Sequence, residues 1–335
     1  MRVMVPDFQH VLGRHCGSSS ISRLLNFHGH RITEPMCLGL GAGISFYYAA
    51  GEMFNPTRFW MGRGPDLEID CWQMLGVPVT IRRTQNDAEA WSWVKDEIDA
   101  GRPAMIGVDI RWLDYFHSTT HFGGHKILLI GYDTEKQTAI VSDNEFPVPQ
   151  EVSFAGLAKA RTQTIPPFDL ANDWFQIFMP EKLAPLERAV PEAIALMAQR
   201  MLDDRLSFCG LVAMKQAARD LPRWGEARDW QWCARFGYQV IERRGTGGGN
   251  FRLMYAEFLE QCAAYCPDIA RLHLAAQMRV IADGWTDLAL CLRDISERAE
   301  PAGFDEAGAK LARVAQLERQ YHERALDCRC VPASG

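Results

Sequence analysis

The sequence predicts an α+β chain of two domains: a catalytic domain built on an antiparallel sheet over residues 1–182, and an all-helical domain over 183–335. Three observations predict this. A length of 335 residues is more than one ordinary core fills and suits two. Short β-rich runs occur only in the first part of the chain. Past Leu183 they vanish, and long amphipathic runs take over.

In the first part, SSSISRLLNFHG (18–29) opens on hydroxyl residues suited to a helix N-cap and stops at Gly29. DAEAWSWVKDEIDAG (87–101) is a second helix, with Asp87 at its start and Gly101 as its stop. AMIGVDI (104–110), KILLIGYD (126–133), TAIVSD (138–143) and WFQIFMP (174–180) read as strands. The polar YDTEKQT (132–138) is a hairpin turn between two of them. In the second part, helical runs cover roughly 187–203, 208–220, 250–266, 269–283 and 304–326, punctuated by Pro222, Pro267 and Pro301. GTGGGNF (245–251) is a glycine-rich loop feeding a helix, and CRCVPASG (328–335) reads as a loose tail.

Composition excludes several functions. A hydrophobic fraction of 47% with 23% charged residues is globular, not disordered or fibrous. The net charge of −6 speaks against nucleic-acid binding, although Arg58, Arg63, Arg82 and Arg83 lie close enough in sequence to form a local patch. No run reaches the ~18 apolar residues of a membrane span. The opening MRVMVPDFQHVLG lacks the apolar core of a secretory signal. A cytoplasmic location is therefore expected, with the ten cysteines as reduced thiols, mostly small core residues.

Cys16 stands apart from the other thiols. In GRHCGSSS it precedes the first predicted helix, where the dipole and free N–H groups favour a thiolate. His125, in HFGGHKILLIGYD, enters one strand, and Asp143, in AIVSDNEF, leaves the next; adjacent antiparallel strands bring the two together. A carboxylate beside an imidazole fixes its tautomer and stabilises the imidazolium. Singly, Cys16 reads equally as one more buried thiol and Asp143 as a turn residue. Jointly they make a nucleophile, a base and an orienting acid. His117, His121 and His125 have the spacing of metal ligands on a helix. The intervening Ser-Thr-Thr and Phe-Gly-Gly argue against a helix there, so no metal is expected.

These residues resemble the butirosin-biosynthesis protein H family. The resemblance rests on RHCGSSSISRLLNFHG, on ITEPMCLGLGAGISFYY with its glutamate and glycines, on FHSTTHFGGHKILLIGYD with VSDNEF, and on GTGGGNFRLMYAEFLE, in the family's order and across most of the chain. It departs from the commonest family pattern at Pro35 and Cys37, a change that reshapes the pocket and leaves the triad intact. The resemblance implies a cysteine-protease-like, papain-like fold and transfer of an acyl group from an acyl carrier protein to an amine. Papain-like enzymes carry a Gln six residues before the cysteine to bind the oxyanion. His10 holds that spacing here and Gln9 is one residue further out, so either is a donor beside the Cys16 backbone N–H. His15, next to the nucleophile, reads as structural.

The glycine runs have a bland reading as turns and a sharper one as places of close backbone approach to a ligand. On the sharper reading, Gly41 and Gly43 line the substrate site. Gly247, Gly248, Asn250, Arg252 and Tyr255 hold the phosphate of a phosphopantetheine arm, and the 245–255 segment faces Cys16. The helical domain then serves substrate selection or closure. The expected donor is an acylated carrier protein or coenzyme A and the acceptor a small amine, with no cofactor; the sequence does not set the oligomeric state. A hydrolase or peptidase with the same triad and a non-catalytic binding scaffold are the rivals.

Overall fold

The computed structural model describes residues 1–165 and 168–329. The chain divides into two compact units: Met1–Cys37 with Gly76–Leu183, and Leu38–Leu75 with the chain from Ala184 onward. A single cut after residue 182 therefore misplaces one segment, since 38–75 belongs with the helices. Among the described residues, no helix is long and apolar enough to cross a membrane. Most of the expected loose tail, Cys330 included, lies outside the described residues.

The first unit is built on a seven-stranded antiparallel sheet. Its order is Val79–Arg82, Trp174–Ile177, Ala104–Val108, His125–Asp133, Thr138–Ser142 and Gln150–Ser153, with Arg2–Met4 also pairing with His125–Asp133. Its central strands are buried on both faces. Ile127 and Leu129 join a cluster with Val94 and Ile98 of the helix Asp87–Asp99, while Leu128 and Ile130, on the opposite face, are also buried. The helix Cys16–Phe27 packs on the same His125–Asp133 strand. It begins two residues earlier than the hydroxyl run suggests, because His15, not a serine, caps it. It ends as expected, with Gly29 at φ +85° in the left-handed region that favours glycine.

The second unit is not purely helical. Six longer helices, Leu186–Leu202, Gly210–Asp220, Trp230–Glu242, Arg252–Cys262, Leu274–Arg298 and Phe304–Ala325, surround an antiparallel hairpin, Ile44–Ala50 with Arg58–Arg63. The hairpin supplies aromatic core. The Trp60 ring lies 5.1 Å from Trp224, and Phe46 lies 5.7 Å from Trp285. Burying such rings outweighs strand pairing elsewhere, which is why 38–75 clusters with the helices.

Candidate active site

The register of two strands sets the site. Val108 pairs with His125 and Leu128 with Ser142, so the histidine enters its strand on the side where Asp143 leaves the next. The structure brings these two together: His125 Nε2 lies 2.8 Å from Asp143 Oδ2. Cys16 is the first residue of its helix, and His125 is among the groups that draw its thiol down. With Nε2 spent on the carboxylate, Nδ1 is the nitrogen left for the thiol. All three are buried, Cys16 8% exposed, His125 3% and Asp143 0%.

Each member is itself held. Asp143 Oδ2 also accepts from the Tyr115 hydroxyl at 2.8 Å, and its Oδ1 accepts from the Glu145 N–H at 3.3 Å. Phe116 sets its ring at 85° to that of His125, 5.4 Å between centroids. The Glu34 carboxylate accepts from the N–H groups of Arg14 (3.0 Å) and His15 (2.7 Å) and from the Ser18 hydroxyl (3.3 Å), clamping the approach to the nucleophile. Arg23, buried among the hydroxyls of Ser19 and Ser142 at 2.9 and 2.6 Å, ties the nucleophile helix to the aspartate strand.

His15 is more than structural filler. Its Nδ1 accepts the Ser18 N–H at 3.2 Å, so the ring proton sits on Nε2, and the ring hydrogen-bonds the Cys16 thiol. Burial pushes that thiol up. The pull of His15, the hydrogen bonds from His125 and His15, and the His125 charge outweigh burial and hold it well below its ordinary value. Burial likewise opposes a charge on His125, but the Asp143 carboxylate dominates and lifts it to about 10. Asp143 is held below its ordinary value, burial being overcome by the charge and hydrogen bond of His125. Both shifts favour a thiolate on Cys16 and an imidazolium on His125.

Residues 15–144 match the family model described as butirosin biosynthesis protein H, N-terminal, and residues 155–325 match DUF4872, a domain of unknown function. The chain belongs to the butirosin-biosynthesis protein H family. No curated protein matches it significantly. The protein H model begins one residue before Cys16 and ends one after Asp143, so it encloses all three residues of the site. Membership suggests a biosynthetic function of acyltransferase type.

Other expected residues of this protein H family chain fall elsewhere. His10 is no free oxyanion donor: its Nδ1 is bonded to the Ser142 hydroxyl and its Nε2–H donates to the Phe146 carbonyl, both at 2.8 Å. Gln9 is exposed and its amide donates to the Asp7 carbonyl at 3.4 Å. Gly41 and Gly43 are buried in the second unit, where a Cβ on Gly43 would sit 2.7 Å from the Leu38 carbonyl. The three evenly spaced histidines share no helix: His121 bonds Asp109, His125 bonds Asp143, and His117 sits in a left-handed turn. Among the described residues no group of three or more His, Cys, Asp or Glu could hold a metal. Arg58 and Arg63 belong to the second unit and Arg82 and Arg83 to the first. Arg63 pairs with Glu68, Arg83 with Asp173, and Arg82 lies over Trp93.

The 245–255 segment overturns its phosphate reading. Arg252 is fully buried and gives its guanidinium to Glu318 at 2.7 and 3.1 Å and to the carbonyls of Asn250 and Gly62. Asn250 and Tyr255 are buried as well. The nearby glycine requirement is internal: Gly247 and Gly248 have φ of +70° and +93°, and a Cβ on Gly249 would sit 2.8 Å from Ala282. Removing one partner of a buried ion pair strands the other charge. Arg252→Ala should therefore cost about 3–5 kcal/mol, read as a lower denaturation midpoint. An unchanged midpoint would refute the buried pair.

Proposed function

We propose that this chain is a cysteine acyltransferase, moving an acyl group from a carrier-protein or coenzyme A thioester, through a thioester on Cys16, to an amine. The observation that supports it best is the buried series Asp143–His125–Cys16 with its charge-separated resting state. The Cys16 thiolate attacks the donor carbonyl. The oxyanion that forms faces the N–H groups of Cys16 and Gly17, which the first helical turn leaves without intrahelical acceptors. As that intermediate collapses, the carrier thiol leaves with the proton of the His125 imidazolium. An amine then attacks the acyl-enzyme, and neutral His125 takes its proton. Cys16 departs as a thiolate and the amide is released, which restores the starting pair. His15 Nε2–H supports the thiolate each time it re-forms. The phosphopantetheine arm enters as substrate, and the location this reading implies is cytoplasmic. The helical unit is assigned to substrate selection or closure.

The test is intact-protein mass spectrometry after incubation with a panel of acylated carrier proteins and acyl-coenzyme A thioesters. An acyl adduct on Cys16 that is discharged as an amide when amines are added supports transfer. Discharge as free acid at the same rate with and without amines would favour a hydrolase or peptidase. No adduct with any donor would favour a binding scaffold.

A further inference from the structure

Two thiols outside the site face each other. Cys266 follows the helix Arg252–Cys262, and Cys328 follows the helix Phe304–Ala325. They are 62 positions apart in sequence, yet their sulfurs lie 3.1 Å apart. Both are buried, at 1% and 4% exposure. The backbone keeps them in register: Arg329 N–H donates to Asp268 Oδ2 at 3.1 Å, fastening the residue after Cys328 to a residue two beyond Cys266. A disulfide bond is ~2.05 Å long, so closure needs a movement of only about 1 Å.

We propose that Cys266 and Cys328 form a redox-sensitive modification site, a dithiol that closes to an intramolecular disulfide by exchange with a low-molecular-weight disulfide of the oxidised-glutathione class. The roles of the two sulfurs differ. The Cys328 hydrogen bond outweighs burial and, with the N–H groups of Ile269 and Asp268, draws Cys266 below its ordinary value, which favours its thiolate as the attacking group. Burial leaves nearby Cys262 at about 12, a poor competitor. Cys266 attacks one sulfur of the oxidant and expels one thiolate, giving a mixed disulfide. Cys328 loses its proton, attacks the Cys266 sulfur and expels the second thiolate. Two protein thiols are oxidised and one small disulfide is reduced to two thiols. The bond closes a long loop around the two longest helices of the second unit. It is independent of the reaction assigned to Cys16.

The experiment is to treat the reduced full chain with oxidised glutathione, block remaining thiols with N-ethylmaleimide, digest with trypsin and map cross-linked peptides. Cleavage after Arg329 separates Cys328 from Cys330, and Cys266 lies in the peptide 253–271. The expected product joins 253–271 to 325–329, with fragment ions placing the bond on Cys266. It is lost in Cys266→Ser and Cys328→Ser and kept in Cys262→Ser. The oxidised chain should unfold on the order of 5–10 °C higher than the reduced one and return on reduction. A bond to Cys330 or Cys262, glutathione adducts without a cross-link, or an unmoved midpoint would overturn the proposal.

Discussion

Cys16→Ala should lose the acyl adduct and amide formation together, by roughly a thousand-fold or more, while unfolding at nearly the wild-type midpoint. The removed atom is one sulfur at a site 8% exposed, so packing changes little. What disappears is a thiol that the surrounding groups, His15 and His125 among them, hold well below its ordinary value. Cys16→Ser should be nearly as inactive, because a hydroxyl does not ionise under the same pull. An adduct that persists in Cys16→Ala, or that maps to Cys37 or Cys71, would transfer the nucleophile elsewhere.

His125→Ala and Asp143→Asn should each lower acylation by roughly 10²- to 10⁴-fold, for different reasons. The first removes the proton carrier. The second leaves a ring that no longer has the charge lifting it to about 10. The pH profile separates them from mere structural damage. In the wild type, alkylation of Cys16 should be flat across neutrality and fall only in acid, since its thiol lies well below the ordinary 9.0. Transfer should fall again as pH rises through about 10 and the imidazolium is lost. In Asp143→Asn, alkylation should instead climb with pH through neutrality toward 9. A flat profile in that variant would sink the ion-pair account. Stability follows the same groups. The raised His125 contributes fully below its unfolded value near 6.5 and loses that contribution as pH climbs through about 10. The depressed Asp143 contributes above 3.8 and loses it as pH falls through its lower folded value.

Local signals were legible wherever a pattern repeated within a few residues. The strands Ala104–Val108, His125–Asp133 and Thr138–Ser142 fall within two residues of their β-rich runs. The helix Asp87–Asp99 ends before Gly101 at φ +74°, the stop its sequence carries. The helix Trp230–Glu242 was not legible, nor was the hairpin at 44–63. WQWCARFGYQVIE carries four aromatic residues and a glycine that blur its period, and ISFYYAA is apolar without alternation.

By itself the sequence determined the fold class and the meeting of His125 with Asp143. Each follows from period and strand order, which are properties of neighbouring residues. Only tertiary structure decided which side chains surround them. Glu34 reaches back to the N–H groups of Arg14 and His15, Tyr115 crosses to Asp143, and Arg23 spans to Ser142, contacts that no local pattern encodes. Tertiary structure also withdrew Arg252 from phosphate binding. A guanidinium in a sequence looks the same whether solvent or a buried Glu318 completes it, and burial is set by residues 66 positions away.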